Sequence, residues 1–424
     1  MHQLPFATPS NTTSASGYRT SSTVPPPLIF GQPATCWRHG RQATHIPPLS
    51  INNTLSGDPQ EMAQAFQSRF FTTAPSHIPV SQLDDPPPIP LRVLTPVLDD
   101  EVALALKGTS NASAPGLSGI NYKVIKWAFC ANPSRFSTLY MTCLTLGFHP
   151  WHEANIVIIP KPNKPDYSAP KAYRPISLLE CIGKLLEKIV ATHFLSNVNV
   201  FSLIPTNQFG SRDYSSAVDA AMAIAHNAES CLQSGTISAM VLFNIQGFFN
   251  NISIPHLICL CTDLGFPVAM CNWLSSFLHD RLVHLSFNGF SSNPITLDHG
   301  IPQGSPLSPI LSAIFTSPLL KLINSSWQLW TLAMFVDDGS IFATSSTFRE
   351  ASRLALSGFE QVLGWLHRNG LRADQEKTEF ITFGHKHTHI GSPPDQVAIR
   401  DPTQGEYNVT HSTQVHYLGV FFHE

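Results

Sequence analysis

Phe335-Val336-Asp337-Asp338-Gly339 sits between two apolar runs, Leu332-Ala333-Met334-Phe335 before the acids and Ile341-Phe342-Ala343 after them. Apolar β-formers on both sides of a short polar break predict a β-hairpin with the acids at its tip. Neighbouring strand residues face opposite ways, yet at a tight turn both carboxylates can point toward one bound cation. Paired acids are what two-metal phosphoryl chemistry requires, to hold Mg²⁺ against attacking and leaving oxygens. Asp-Asp at a turn is also ordinary turn chemistry, so the pair takes its meaning from the segments around it.

Those segments belong to a chain of 424 residues, enough for two or three domain-sized units and a sizeable core. Hydrophobic content of 43% and a mean hydropathy of +0.02 predict a globular body. With 25 Lys+Arg against 28 Asp+Glu the formal charge is −3, so any affinity for nucleic acid must come from local patches. Eight scattered cysteines with no C-x-x-C suggest neither a zinc ribbon nor a disulfide framework, and a reducing, intracellular setting fits, with nucleus and cytoplasm not distinguished. His385, His387 and His389 alternate and could share a face, although a solvated polar loop is the simpler reading. No apolar run reaches the length of a membrane span, so no membrane partner is expected.

Sixteen of the 35 prolines fall in the first 96 residues, among many Ser and Thr. Met1 to about Pro90 is therefore expected to be mostly disordered, apart from a short helix around Pro59–Phe71. Ordered sequence begins where Asp99-Asp100-Glu101 open an apolar helical run. Asn155–Pro160 reads as a short buried strand, and Asn155–Arg174 carries Lys161, Lys164, Lys171 and Arg174 against Asp166 alone, a local +3. Pro175 stands where it can start a helix, with Ile176, Leu179, Ile182, Leu186, Ile189 and Val190 following at helical spacing. Ala239–Phe243 is a solid apolar strand ending at Asn244. Asn288-Gly289 predicts a two-residue hairpin. Leu311–Leu322 and Phe348–Arg368 read as helices, the second ended by Asn369-Gly370, and Thr378–Phe383 reads as a strand.

Taken together, the segments from about Thr95 to Glu424 resemble the reverse transcriptases of non-long-terminal-repeat retrotransposons. The signals stand in that family's order: APGLSGI (114–120), IIPKPNK (158–164), YRPISLL (173–179), NQFGSR (207–212), FNIQGFFNNI (243–252), GIPQGSPLSP (300–309), FVDD (335–338), NGLRADQEKTEF (369–380) and YLGV (417–420). The resemblance implies an α+β right-hand polymerase with fingers and a split βαβ palm sheet. A leader would cover 1–94. Fingers and the N-terminal part of the domain would cover 95–236. The palm would cover 237–424, with a fingers insertion near 264–298 and an end at the primer-grip segment, the thumb being largely absent.

By the same resemblance, Asp337 and Asp338 are metal-binding catalytic acids that, with one more aspartate, hold two Mg²⁺. Lys161 and Arg174 hold the incoming triphosphate, Lys as a point charge and Arg as a bidentate fork. Phe249 crowds a ribose 2′-hydroxyl and favours dNTPs. Gln303 and Gly304 pack against the nascent pair and template, Lys377 approaches the leaving pyrophosphate as a proton donor, and Tyr417-Leu418-Gly419 grip the primer end. The implied partners are an RNA template, a DNA primer and dNTPs, with no protein partner indicated.

One departure matters most. The family's first catalytic aspartate is Asn244 here, and the often acidic neighbour is Asn250. Asparagine offers one neutral carbonyl oxygen where aspartate offers an anionic, bidentate ligand. Gln246 and Asn251 are neutral and do not restore the charge, and Ser118 stands where the family has an aspartate. The expectation is an RNA-directed DNA polymerase domain with impaired nucleotidyl transfer, from a degenerate or fragmentary copy. The alternative is a catalytically inactive nucleic-acid-binding remnant on the same fold.

Overall fold

Ile237–Asn244 is buried at every one of its eight positions, which only the inner strand of a covered sheet can be. The computed structural model describes residues 45–71, 92–325, 330–384 and 392–423. All of these residues lie in one compact unit, Gln42–Glu424. In chain order the helices are α1 (Pro59–Phe70), α2 (Asp99–Lys107), α3 (Tyr122–Ala131), α4 (Pro133–Leu146), α5 (Cys181–Val200), α6 (Ala217–Gln233), α7 (Phe248–Asn251), α8 (Ile254–Asp263), α9 (Val268–Leu278), α10 (Ser308–Ser325) and α11 (Phe348–Arg368). The strands are β1 (Leu49–Ile51), β2 (Thr54–Ser56), β3 (Glu153–Pro160), β4 (Tyr173–Leu178), β5 (Ile237–Asn244), β6 (Arg281–Phe287), β7 (Phe290–Ser291), β8 (Ile295–Leu297), β9 (Trp330–Phe335), β10 (Asp338–Ser345), β11 (Glu379–Phe383), β12 (Gln396–Asp401), β13 (Gly405–Thr410), β14 (Gln414–Tyr417) and β15 (Val420–His423).

The sheet around β5 is antiparallel, in the order β11-β5-β10-β9. Alternation along β5 sends Ile237, Ala239, Val241 and Phe243 into the main core, which also holds Phe359, Val362 and Leu366 of α11. Met240 and Leu242 face the other way, to Ala220, Ala221 and Ile224 of α6 and to Val415, Tyr417 and Phe422 of the β14–β15 hairpin. Helix α11 starts at Thr347, whose hydroxyl accepts the Glu350 N–H at 3.2 Å, and buries residues at helical spacing.

A second sheet has the order β4-β3-β6-β7, with β8 also on β6; β3 and β6 run parallel. The β6–β7 turn is the expected Asn288-Gly289 pair, both at positive φ. The stretch expected to begin a helix at Pro175 is instead the strand β4, and the helix starts at Cys181. Physically, β4 is an edge strand, where a proline that cannot donate to a ladder is tolerated. The segment read as a fingers insertion supplies β6, β7 and β8 of this same sheet.

Within the stretch read as a leader, α1 buries Met62, Ala63, Phe66 and Phe70 at helical spacing. Phe66 meets Tyr173 and Phe287 edge-on, with ring centroids 5.4 and 5.5 Å apart. His385, His387 and His389 lie outside the described residues. Phe66→Ala is expected to cost roughly 3–5 kcal/mol in denaturant unfolding, the range for a large aromatic removed from a packed core. A loss below about 1 kcal/mol would mean that α1 contributes nothing to this core.

Candidate active site

The two acids stand on the tightest connection of the β5 sheet. Strands β9 and β10 pair from Phe335 against Asp338, leaving Val336 and Asp337 to make the turn, with Val336 at φ +61°. The Asn207–Phe209 backbone braces this tip, Phe209 N–H donating to the Met334 carbonyl at 2.8 Å and Met334 N–H to Asn207 at 3.0 Å. Gly339 lies opposite Phe243 in the register, and a Cβ there would fall 2.2 Å from the Phe243 ring. A side chain at 339 is therefore excluded next to the acids.

Across the sheet, Asp338 pairs directly with Asn244. The Asn244 backbone is pinned as well, because Asp374 N–H donates to its carbonyl at 2.8 Å and Ile245 N–H donates to the Asp337 carbonyl at 2.9 Å. Asn244 is only 8% exposed, and its amide is fully engaged. Nδ2 donates to Asp337 Oδ2 and to Asp338 Oδ1, both at 2.9 Å, while Oδ1 accepts from the Lys377 ammonium at 2.8 Å. The three partners fix which end of the amide is which, since carboxylates only accept and an ammonium only donates. Lys377 also pairs with Asp374 at 3.3 Å. Burial, and then the charge of Asp337, hold the Asp338 carboxyl above the usual carboxylate range against the hydrogen bond from Asn244.

Cations gather beside this network. Lys161, at the end of β3, is drawn down to about 8 by partial burial and then by Lys377, Arg174, Lys164 and Arg69. Its ammonium donates to the Lys171 carbonyl at 2.8 Å, and the Lys171 side chain reaches Glu376, next to Lys377, at 3.1 Å. Arg174 is exposed on β4. The loop holding Gln303 and Gly304 lies against the same strand, Ser177 N–H donating to the Gln303 carbonyl at 2.9 Å. Gly304 adopts φ +129°, and a Cβ there would lie 2.8 Å from the Ser177 carbonyl oxygen. The Phe249 carbonyl accepts the Ile301 N–H at 2.7 Å, which ties its half-buried ring to this loop. Tyr417 is buried under the β5 sheet, its hydroxyl pushed up by burial and then by the charge of Asp338; Leu418 and Gly419 form the turn beyond it, both at positive φ. Ser118 serves the Glu180 carboxylate, donating from its N–H at 2.8 Å and from its hydroxyl.

Sequence reading passed over two residues that hold the Gln303 loop. Arg281 is buried and donates to the His299 and Gly300 carbonyls at 2.6 and 2.8 Å. Glu187 is 1% exposed on α5, faces Ser305, and is pushed up to about 7 by burial, against the Ser305 hydroxyl and Lys184. Its signal was present: Gly183, Glu187, Val190 and Phe194 fall at i, i+4, i+7 and i+11, the buried face of the helix.

A family model described as reverse transcriptase (RNA-dependent DNA polymerase) matches residues 159–422. The chain belongs to that family. It is 27% identical over 385 residues to the probable RNA-directed DNA polymerase from transposon BS of Drosophila melanogaster, covering 85% of this chain and 42% of that protein. It is 25% identical over 302 residues to the RNA-directed DNA polymerase from mobile element jockey of the same species, covering 69% of this chain and 32% of the relative. With the retrovirus-related Pol polyprotein from type-1 retrotransposable element R1 of Bradysia coprophila the figures are 25% over 336 residues, 78% and 32%. The resemblance to reverse transcriptases of non-long-terminal-repeat retrotransposons is thereby met. The chain spans less than half the length of these relatives. An apo telomerase from Candida tropicalis, truncated from its C-terminal domain, aligns at TM-score 0.44 and 14% identity over 64% of this chain and 53% of that one, too slight a likeness to add to the fold. The mixed helix and sheet architecture agrees with an α+β polymerase at that coarse level. Among the described residues no helix is long and apolar enough to cross a membrane.

Mg²⁺ is the ion this family generally uses. The residues here do not fit it. Among the described residues no three His, Cys, Asp or Glu side chains converge as a metal site. The third side chain at the two acids is Asn244, whose nitrogen rather than its oxygen faces them.

Glu187 carries a pH signature. Its folded value of about 7 lies above its ordinary 4.5, so the fold keeps a proton that the unfolded chain releases. That contribution to stability is present below about pH 4.5 and is lost as pH rises toward 7. Glu187→Gln is expected to remove this fall and to exceed the unaltered chain at pH 8 by on the order of 3 kcal/mol in denaturant unfolding. Equal pH dependence in both chains would contradict it.

Proposed function

We propose that this chain is the RNA-directed DNA polymerase domain of a retroelement that binds an RNA template with a DNA primer but transfers nucleotides poorly. In this reading the β5 sheet is the palm, and the sheet around β3 belongs with the fingers. Lys161 and Arg174 receive a dNTP triphosphate, which the mutual repulsion of the cationic group supports, since bound polyphosphate would relieve it. Phe249 stands at the sugar, Gln303 and Gly304 at the nascent pair, and Tyr417, Leu418 and Gly419 at the primer end. The hydrogen bonds joining the Phe249 segment, the Gln303 loop and β4 support their acting as one surface. Lys377 is the candidate proton donor, although its ammonium is held by Asn244 and Asp374.

The observation that carries the impairment is the position of Asn244. It stands opposite Asp338 in the register, where a third carboxylate would complete the acidic set, and offers the acids only N–H groups. Removing a central catalytic group costs on the order of 10³ to 10⁶ in rate. That is roughly 4–8 kcal/mol of transition-state stabilisation. The same observation favours the second reading, an inactive nucleic-acid-binding protein on this fold, if the loss is complete.

Primer extension on an RNA template, first with Mg²⁺ and then with Mn²⁺, tests both. The unaltered chain should bind RNA–DNA hybrid yet extend at least about 10³-fold more slowly than Asn244→Asp. Extension by the unaltered chain at the rate of the variant would contradict impairment, and failure of both to bind hybrid would contradict the functional reading itself.

A further inference from the structure

Two carboxylates at the head of one hairpin repel each other, and Asp337 and Asp338 are close enough to accept hydrogen bonds from a single nitrogen. A cation between such a pair would answer both charges at once. Here the space between Asp337 Oδ2 and Asp338 Oδ1 is taken by the Asn244 nitrogen, 2.9 Å from each. A Mg²⁺ bridging those two oxygens would need contacts near 2.1 Å to both, and so would have to displace that nitrogen.

We infer that the Asn244 amide replaces a cation as the link between the two acids, so that this tip is held together without metal. This rests on the reading of Asn244 as the impaired catalytic position. Each N–H donates one charge-assisted hydrogen bond, so one neutral group satisfies two anions. Lys377 sets the direction of the link. Its ammonium takes the Asn244 oxygen at 2.8 Å, the only atom of that side chain able to ligate a metal. Turning the amide over to offer that oxygen to a cation would break all three hydrogen bonds and point the amide N–H groups at an ammonium. Lys377, Asp374 and the two acids together leave a net charge of −2, less attractive to a divalent cation than the −3 that a carboxylate in place of Asn244 would give. Packing supports the same arrangement, since Asn244 is buried and its backbone is held between β10 and Asp374.

Thermal unfolding of the full chain tests the link, with EDTA and then with Mn²⁺ or Mg²⁺. The unaltered chain should keep one Tm in all three buffers. Asn244→Asp places three carboxylates together, so its Tm should fall below that of the unaltered chain in EDTA. It should then recover by roughly 3 °C at a Mn²⁺ concentration about 100-fold above its dissociation constant. A Mn²⁺-dependent rise in the unaltered chain equal to that of Asn244→Asp, and abolished by Asp337→Asn, would overturn the inference. Should Asn244→Asp not fold, equilibrium dialysis of Mn²⁺ against the unaltered chain decides alone. No retention beyond that of Asp337→Asn supports the amide link, and one ion per chain, lost in Asp337→Asn, overturns it. Hybrid binding measured in the same buffers separates the two readings, because its loss would remove the proposed function while the metal response still decides the link.

Discussion

The pairing of Asp338 with Asn244 across β5 and β10 is the constraint on which the rest of the site depends. One sheet register decides which side chain stands beside the acids, and a slip of a single residue would turn every side chain of β5 to the opposite face. That slip is opposed by the whole core, since Val241 and Phe243 belong with α11 while Met240 and Leu242 belong with α6 and the β14–β15 hairpin. Hydrophobic burial on both faces of one strand therefore fixes the position of a polar atom at its end. The chemistry at the tip follows from packing several residues away.

Much of this was legible in the residues. The acidic hairpin, the apolar strand ending at Asn244, the Asn288-Gly289 turn and the helix Phe348–Arg368 rest on local patterns that tertiary structure did not need to override. The Tyr173–Leu178 segment shows where local reading fails. Pro175 and the spacing of apolar residues after it fit a helix start, yet edge pairing with β3 outweighs propensity, and the helix is delayed to Cys181. The short helix expected around Pro59–Phe71 is α1, Pro59–Phe70, but the packing of its Phe66 on Tyr173 and Phe287 is a long-range contact that no local pattern carries.

At the candidate site, residue types were readable and their connections were not. That Asn244 replaces an aspartate is visible in the motif. That its amide points nitrogen-first into the acids is set by Lys377, 133 positions away, and no local pattern carries that information. Glu187 did carry a signal, its helical spacing with Gly183, Val190 and Phe194, and Arg281 did not. Arg281 is a charged residue buried to hold a loop, and residue type alone does not separate it from a solvated one.

A crystal structure of the unaltered chain grown or soaked with Mn²⁺, with anomalous diffraction recorded at the manganese edge, tests the central claim most directly. If the amide is the link, Asn244 Nδ2 will lie within hydrogen-bond distance of both Asp337 and Asp338, and no anomalous peak will appear between them. A peak ligated by both aspartates, with the Asn244 oxygen turned toward it, would contradict that claim.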